Sequence, residues 1–98
     1  MTINTKLKES TLTIALEGRL DTTTAPLLEK ELKNALTDID TLIFDFEKLD
    51  YISSAGLRVL LSTQKKMNRL GAMFIRNVND TINEVFEVTG FVDILTIE

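Results

Sequence analysis

A short, nearly continuous apolar run at residues 41–46 lies between two segments whose apolar residues recur at helical spacing. Such a run between helices is typical of a central strand covered on both faces, because a strand with one solvated face alternates apolar and polar side chains. A polar turn is expected directly after it, at residues 47–48. Since strands that alternate with helices need crossover connections, this run favours an α/β fold with a largely parallel sheet.

The remaining strand-like segments extend this sheet. Residues 2–7 and 11–16 alternate in polarity on either side of a short polar stretch, which predicts an antiparallel hairpin. Short apolar runs predict two later strands, at residues 72–75 and 94–97. The predicted order is β-β-α-β-α-β-α-β, a mixed, mostly parallel sheet of four to five strands with about three helices.

The three predicted helices begin at residues that commonly cap a helix, because their side chains accept hydrogen bonds from free backbone amides. The candidate caps are Thr23 or Thr24, Ser53 or Ser54, and Asp80. Pro26 suits the first turn of the first helix. Gly71 and Gly90 follow the second and third helices, and Gly71 is expected to adopt the left-handed conformation of a C-cap.

The composition excludes several classes of function. The chain contains no cysteine and no histidine, which rules out disulfides, thiolate nucleophiles and histidine-based relays and leaves carboxylate chemistry. Its net charge of −4 disfavours binding to nucleic acid or to an anionic membrane surface. No apolar run approaches the length of a membrane span. We therefore expect a soluble cytoplasmic protein that has no nucleic-acid or membrane partner.

Two serines at a predicted strand-to-helix junction form the candidate functional site. Ser53 and Ser54 are followed by Ala55 and Gly56 and then by the apolar face of the second helix. In the simplest interpretation one serine caps the helix and Gly56 lets its first turn pack closely. In the functional interpretation an exposed hydroxyl accepts a phosphoryl group, because the positive end of the helix dipole tolerates the added charge. The two small residues would then leave room for the active site of another protein.

These residues belong to a pattern that spans nearly the whole chain. It consists of Gly-Arg-Leu-Asp at residues 18–21, the strand at residues 42–46, and Tyr-Ile-Ser-Ser-Ala-Gly-Leu at residues 51–57. In these motifs and in its element order the chain resembles the STAS domain, and within it the bacterial anti-sigma factor antagonists. The motif at residues 51–57 is the most specific of the three. The resemblance implies one STAS domain over residues 1–98.

The resemblance also implies a protein switch and not an enzyme. Members of this family bind an anti-sigma factor that is also a serine kinase, and this binding releases the sigma factor. The kinase then phosphorylates a serine of the antagonist and the complex dissociates. A serine phosphatase resets the system. No cofactor is implied.

Individual residues take their expected roles from the same resemblance. The phosphorylated serine of the family precedes a small residue, glycine and leucine, which makes Ser54 the expected phosphoacceptor and Ser53 the second choice. The family's aspartate before the first helix corresponds to Asp21, which is expected beside Ser54 at the docking surface. The expected partner-binding residues are Asp21, Thr22, Thr23, Ser53, Ala55, Gly56, Leu57 and Arg58. No residue is expected to bind a metal.

The chain departs from the family pattern at three points. Many members have aspartate where this chain has Ser53, and many have glycine where it has Arg58. Because Ser54 and Arg58 are four residues apart on one predicted helix, a phosphate on Ser54 would lie on the same face as the Arg58 guanidinium. The sequence ends at Glu98, so the C-terminal helix of several members is expected to be short or missing.

Two other functions are compatible with the sequence. A STAS module without a switch, acting as a scaffold or as a subunit of a signalling or lipid-transport complex, would not need a phosphorylatable serine, so Ser54 argues against it. A carboxylate-dependent phosphohydrolase would need a phosphate-binding loop, and no such motif is present. A Mg²⁺ site built from Asp21, Asp45 and Asp50 is disfavoured, because aspartates at strand ends more often form turns and caps.

Overall fold

A mixed four-stranded sheet and three α-helices make up the computed structural model, which describes residues Met1–Glu98. The elements in chain order are β1 (Thr2–Lys8), β2 (Thr11–Leu20), α1 (Ala25–Ala35), β3 (Thr41–Ile52), α2 (Ser54–Leu70), β4 (Ala72–Arg76) and α3 (Asp80–Thr89), followed by a short 3₁₀ turn at Phe91–Asp93. The expected α/β class is confirmed. None of the helices has both the length and the apolar character needed to cross a membrane.

The strands lie in the sheet in the order β1-β2-β3-β4. β1 pairs with β2 in the antiparallel sense and forms the predicted hairpin, whereas β2, β3 and β4 are parallel. Each parallel pair is joined by a helix, α1 in the first crossover and α2 in the second. Successive right-handed crossovers that add strands in one direction place their helices on the same face of the sheet.

One face of this sheet carries the core. Alternate side chains of β2 and β3 are buried and belong to a single cluster of 22 apolar residues, which also contains the inner faces of the three helices. The side chains between them, such as Thr13, Ile43 and Phe74, are only half-buried. The expectation that the central strand is covered on both faces is therefore wrong, because both crossovers lie on the same side of the sheet.

β2 and β3 are longer than their sequence patterns predict. The expected turn at residues 47–48 is wrong, since β3 continues through it to Ile52, and β2 continues past Gly18 to Leu20. Two register shifts in the β2–β3 pairing absorb the extra residues of β3. Such bulges interrupt the polarity alternation by which a strand is recognised in a sequence. The extensions carry both strands to the beginnings of α1 and α2.

The C-terminal segment does not form the strand predicted at residues 94–97. A turn replaces its first part, and only an isolated parallel bridge joins Ile97 to Ile75 of β4. The Ile75 amide donates to the Thr96 carbonyl oxygen over 2.9 Å, and the Glu98 amide donates to the Ile75 carbonyl oxygen over 2.8 Å. The observed order is therefore β-β-α-β-α-β-α, with the last residues lying along the outer edge of β4.

Two predicted helix caps are wrong, one after the end of α2 and one at the beginning of α3. Asn79, not Asp80, caps α3, because its Oδ1 accepts a hydrogen bond from the Ile82 amide over 2.9 Å. Gly71 after α2 is extended, with φ 165°, rather than left-handed. A side chain at this position would collide with the carbonyl oxygen of Asp40. Gly71 therefore allows two backbone segments to approach closely.

Candidate partner-binding site

The two serines at the beginning of α2 differ in their surroundings. Ser53 is extended, with φ −102° and ψ 177°, and its amide donates to the Leu20 carbonyl oxygen over 2.9 Å. The Ser53 Oγ is buried, has no protein hydrogen-bond partner and does not cap the helix. Ser54 is the first residue of α2 and is exposed. Of the two hydroxyl-bearing residues, only Ser54 is therefore presented to a partner.

The free backbone amides at the amino-terminal end of α2 are not paired with any negative group of this chain. The first bond of the helix runs from the Leu57 amide to the Ser53 carbonyl oxygen over 3.0 Å, so the amides of residues 54–56 precede the helical ladder. No side chain caps them, and the first turn contains no acidic residue. Because the positive end of the helix dipole lies here, added negative charge on Ser54 would be stabilised within the chain itself.

Gly56 and Leu57 are buried, so they determine how α2 packs and do not form part of its exposed surface. A Cβ atom on Gly56 would lie 2.7 Å from the Leu20 Cγ and 2.8 Å from the Ile52 Cγ1. Leu57 is only 7% exposed and belongs to the core. The absence of a side chain at Gly56 thus lets α2 pack directly on the ends of β2 and β3, which fixes where Ser54 emerges.

Asp21 organises the loop that precedes α1. Its Oδ1 accepts hydrogen bonds from the Thr23 hydroxyl over 2.8 Å and from the amides of Thr23 and Thr24 over 3.0 and 3.2 Å. Against the opposing effect of burial, the bond from the Thr23 hydroxyl, supported by the amide bonds, holds the pKa of Asp21 below its ordinary value. Asp21 makes these bonds within its own loop and none with Ser54.

A shallow groove runs between the beginning of α1 and the first turns of α2. It is lined by Thr22, Ala25, Pro26, Glu29, Ala55, Arg58, Val59 and Ser62. The groove therefore brings together Thr22, Ala55 and Arg58 from the predicted partner-binding set. Thr23 is exposed in the loop next to Thr22, and Ser54 is exposed immediately before Ala55.

Arg19 and Tyr51 also lie beside this site, although the sequence did not indicate a role for them. The Arg19 guanidinium carbon lies 4.1 Å from the centroid of the Tyr51 ring, and the Arg19 Nε lies 3.6 Å from the Asp21 Oδ2. The two residues are opposite each other only because of the register shift between Gly18 and Arg19. A bulge of this kind leaves no signal in the sequence, so the pair could not be found by spacing.

Two of the three carboxylates of the alternative cation site, Asp45 and Asp21, accept hydrogen bonds from the chain itself. The Asp45 Oδ1 accepts hydrogen bonds from the Glu47 amide over 3.0 Å and from the Asn77 Nδ2 over 2.9 Å. Asp21 is engaged in its own loop as described above. No group of three acidic side chains comes close enough together to hold a metal ion.

Comparison with known proteins assigns the family. The family model of the STAS domain matches residues 2–98. The anti-sigma-B factor antagonist of Staphylococcus aureus is 30% identical over 97 residues, which cover 97% of this chain and 90% of that protein. BtrV of Bordetella bronchiseptica, provisionally named an anti-sigma factor antagonist, is 34% identical over 88 residues, covering 88% and 76% of the two chains. The chain therefore belongs to the STAS domain family, and these relatives carry the names of anti-sigma factor antagonists.

Solved structures share the same fold. The anti-sigma factor antagonist SpoIIAA in its unphosphorylated form superposes with a TM-score of 0.78 at 20% identity, over 99% of this chain and 87% of that one. The phosphorylated form of SpoIIAA, from Bacillus, gives a TM-score of 0.77 at 21% identity, over 99% and 91% of the two chains. At these identities the likeness concerns the fold, and it confirms the STAS-like arrangement of sheet and helices.

Proposed function

We propose that this chain is an anti-sigma factor antagonist that works as a phosphorylation-controlled binding module. Unphosphorylated, it binds an anti-sigma factor that has serine kinase activity, and so frees a sigma factor. Phosphorylation on Ser54 ends the binding, and a serine phosphatase restores it. The observation that carries this proposal is the contrast at the beginning of α2, where Ser54 is exposed and the Ser53 hydroxyl is buried.

Access decides which serine a kinase can use. A phosphoacceptor hydroxyl must enter the active site of the kinase, and the Ser53 Oγ is buried. Ser54 stands at the uncapped end of the helix, where backbone amides and the helix dipole can accommodate a phosphate. The fold therefore supports Ser54 over Ser53 as the phosphoacceptor.

The proposed partner surface surrounds Ser54. It comprises the groove residues Thr22, Ala55 and Arg58 together with Asp21 and Thr23 in the adjoining loop. A phosphate adds about −1.5 to −2 charges, which a docked partner would have to desolvate. A loss of about 3–4 kcal/mol of binding free energy weakens an interaction several hundredfold, enough to reverse the association.

The phosphoacceptor can be identified by reconstitution with the cognate anti-sigma factor kinase and ATP. Intact-mass measurement should show one added phosphate on the wild type and on Ser53→Ala, and none on Ser54→Ala. Both variants replace a serine by alanine at neighbouring positions, so each controls for the other. Phosphate on Ser54→Ala, or peptide mapping that locates it elsewhere, would contradict the assignment.

Release can be tested separately from modification. Titration calorimetry with the same anti-sigma factor should show that Ser54→Ala binds like the wild type, whereas phosphorylated protein and Ser54→Asp bind at least a hundredfold more weakly. If all forms bind equally, the chain is a STAS module without a switch. If none binds, the partner is not an anti-sigma factor of this type.

A further inference from the structure

A second groove lies at the opposite end of the α1–α2 pair. Its lining, which we call the distal groove, consists of Leu32, Leu36 and Leu70 with Lys33, Lys66 and Arg69. The three leucines form an apolar floor and the three cations form its rim. No carboxylate belongs to the lining, although the chain as a whole has a net charge of −4.

Four side chains of this groove are exposed to a partner, namely Leu70 and the three cations, whereas Leu36 is half-buried and Leu32 belongs to the core. Leu70 is 48% exposed although it is a large apolar residue at the end of α2. The chain contains two ion pairs, Arg19–Asp21 and Arg76–Glu98, so no cation of the distal groove is neutralised within the chain. The nearby carboxylate of Asp40 accepts hydrogen bonds from Ser10 and Thr41 and does not reach the rim.

The distal groove lies at the other end of α2 from Ser54, and a middle stretch lined by residues of both, such as Glu29, Lys33 and Ser62, joins it to the groove beside Ser54. α2 has 17 residues, which at about 1.5 Å per residue places Leu70 roughly 24 Å from Ser54 along the helix axis. A bound helix whose anchors span i to i+7, about 10 Å at 1.5 Å per residue, therefore occupies the distal groove without reaching Ser54.

We propose that the distal groove binds an acidic amphipathic helix of a partner protein. A groove between two helices accepts the apolar face of a third helix, whose anchors recur at i, i+3, i+4 and i+7. The cationic rim selects acidic side chains on the flanks of that helix by charge complementarity. A protein partner is favoured over an anionic membrane or nucleic acid because the rest of this chain is acidic and would be repelled by an extended anionic surface.

The probe is a synthetic helical peptide with leucine at those anchor positions and glutamate elsewhere. Its binding to the unmodified protein is followed by fluorescence anisotropy, and the site is located from amide chemical shifts. Shifts should concentrate in residues 32–36 and 66–70 and leave residues 53–58 unchanged. A peptide of the same composition with scrambled order, which has no apolar face, is the reference.

Two pairs of variants measure separately how much the apolar floor and the cationic rim contribute to peptide binding. Leu70→Ala should weaken the peptide about tenfold, whereas Leu27→Ala, which removes a leucine that is 54% exposed outside the groove, should not. Lys66→Glu with Arg69→Glu should weaken it at least tenfold, whereas Lys6→Glu with Lys8→Glu on β1 changes the net charge equally and should have little effect.

The proposal is overturned if the scrambled peptide binds equally well, or if the groove variants and their controls behave alike. It is also overturned if the peptide fails to bind while vesicles containing phosphatidylserine do, since that result would assign the groove to a membrane surface. Neither outcome depends on phosphorylation of Ser54, so this test and the test of the proposed switch can fail independently.

Discussion

Gly56 lies so close to Leu20 that a Cβ atom on the glycine would be 2.7 Å from the Leu20 Cγ. The contact joins the first turn of α2 to the last residue of β2. Since Leu20 is fully buried, its side chain has little room to move away. The glycine of the Ser-Ser-Ala-Gly-Leu motif is thus required by packing, whatever the serines do.

Gly56→Ala should lower the free energy of unfolding by up to about 2 kcal/mol. Alanine is the better helix former by roughly 1 kcal/mol, but overpacking a filled core costs about 1–3 kcal/mol and outweighs that gain. Urea denaturation measures the difference. In a Leu20→Ala background the same substitution should cost less, because alanine lacks the Cγ atom that lies closest to the added Cβ. An equal cost in both backgrounds would show that the Leu20 contact is not the cause.

Ser53→Ala should leave stability unchanged or raise it by up to about 1 kcal/mol. An N-cap serine usually contributes about 1 kcal/mol, but the Ser53 hydroxyl is buried and makes no hydrogen bond with the chain. The matched control is Asn79→Ala at the N-cap of α3, which loses the bonds to the Ile82 amide and the Leu49 carbonyl oxygen. That variant should lose about 1–2 kcal/mol. A similar loss in Ser53→Ala would contradict the observed burial.

Local patterns predicted much of this fold because the hairpin and the three helices depend on neighbouring residues. The alternation of polarity in residues 11–16 and the helical spacing of apolar residues after Ser53 follow from the geometry of a single strand or helix. They can therefore be recognised without knowledge of the rest of the fold. The family motif added the placement of Ser54. The hairpin and the three helices were confirmed in the structure, and Ser54 is exposed at the first position of α2.

What could not be predicted depends on contacts between distant parts of the chain. The open face of the sheet follows from the direction in which the strands are added, which residues 41–46 do not encode. The close approach of Gly71 to Asp40 and the opposition of Arg19 and Tyr51 arise only when strands and helices are assembled. The burial of the Ser53 hydroxyl likewise arises only in the assembled fold, where the Ser53 amide bonds to the Leu20 carbonyl oxygen, so the sequence left both serines open as caps.

Asp21 should make stability depend on pH in the acid range. Its folded pKa lies below the ordinary value of about 3.9, so ionised Asp21 stabilises the folded state above about pH 4. This contribution is lost as the pH falls through the folded pKa. Asp21→Asn should therefore lower the melting temperature near neutral pH and have a shrinking effect in acid.

Removing the Thr23 hydroxyl tests whether its bond to Asp21 causes this pH dependence of stability. Because its bond to Asp21 is the largest contribution to the lowered pKa, Thr23→Val should weaken the pH dependence without removing the carboxyl group. Thermal melts of the three proteins across the acid range measure it. Melting curves of the wild type and Asp21→Asn that stay equally far apart at every pH would rule out the carboxylate as the source.

Phosphorylation of Ser54 should act through local charge and leave the fold intact. The beginning of α2 has neither a side-chain cap nor an acidic residue in its first turn, so a negative group there is stabilised by about 0.3–1 kcal/mol. Far-UV circular dichroism of the two forms should be nearly identical. Ser54→Asp should melt slightly higher than Ser54→Asn, which has the same size without the charge. A large loss of helix signal on phosphorylation would refute this account.

Arg58 should interact with a phosphate on Ser54. The two residues are one helical turn apart at the exposed beginning of α2, and Arg58 lies in neither of the ion pairs of the chain. A guanidinium on this face can donate two parallel hydrogen bonds to a phosphate. Because both groups are exposed to solvent, the expected gain is about 0.5–1 kcal/mol.

A double-mutant cycle between phosphorylation and Arg58→Ala measures this coupling directly. The phosphorylated protein should melt higher than its phosphorylated Arg58→Ala variant, whereas the unphosphorylated forms should differ little. Added salt should reduce the gap, since it screens charges near the surface. Arg58→Lys retains the charge but not the paired donors, so it should recover only part of the coupling. A coupling energy of zero at low salt would leave Arg58 as a groove residue that contacts the partner and not the phosphate.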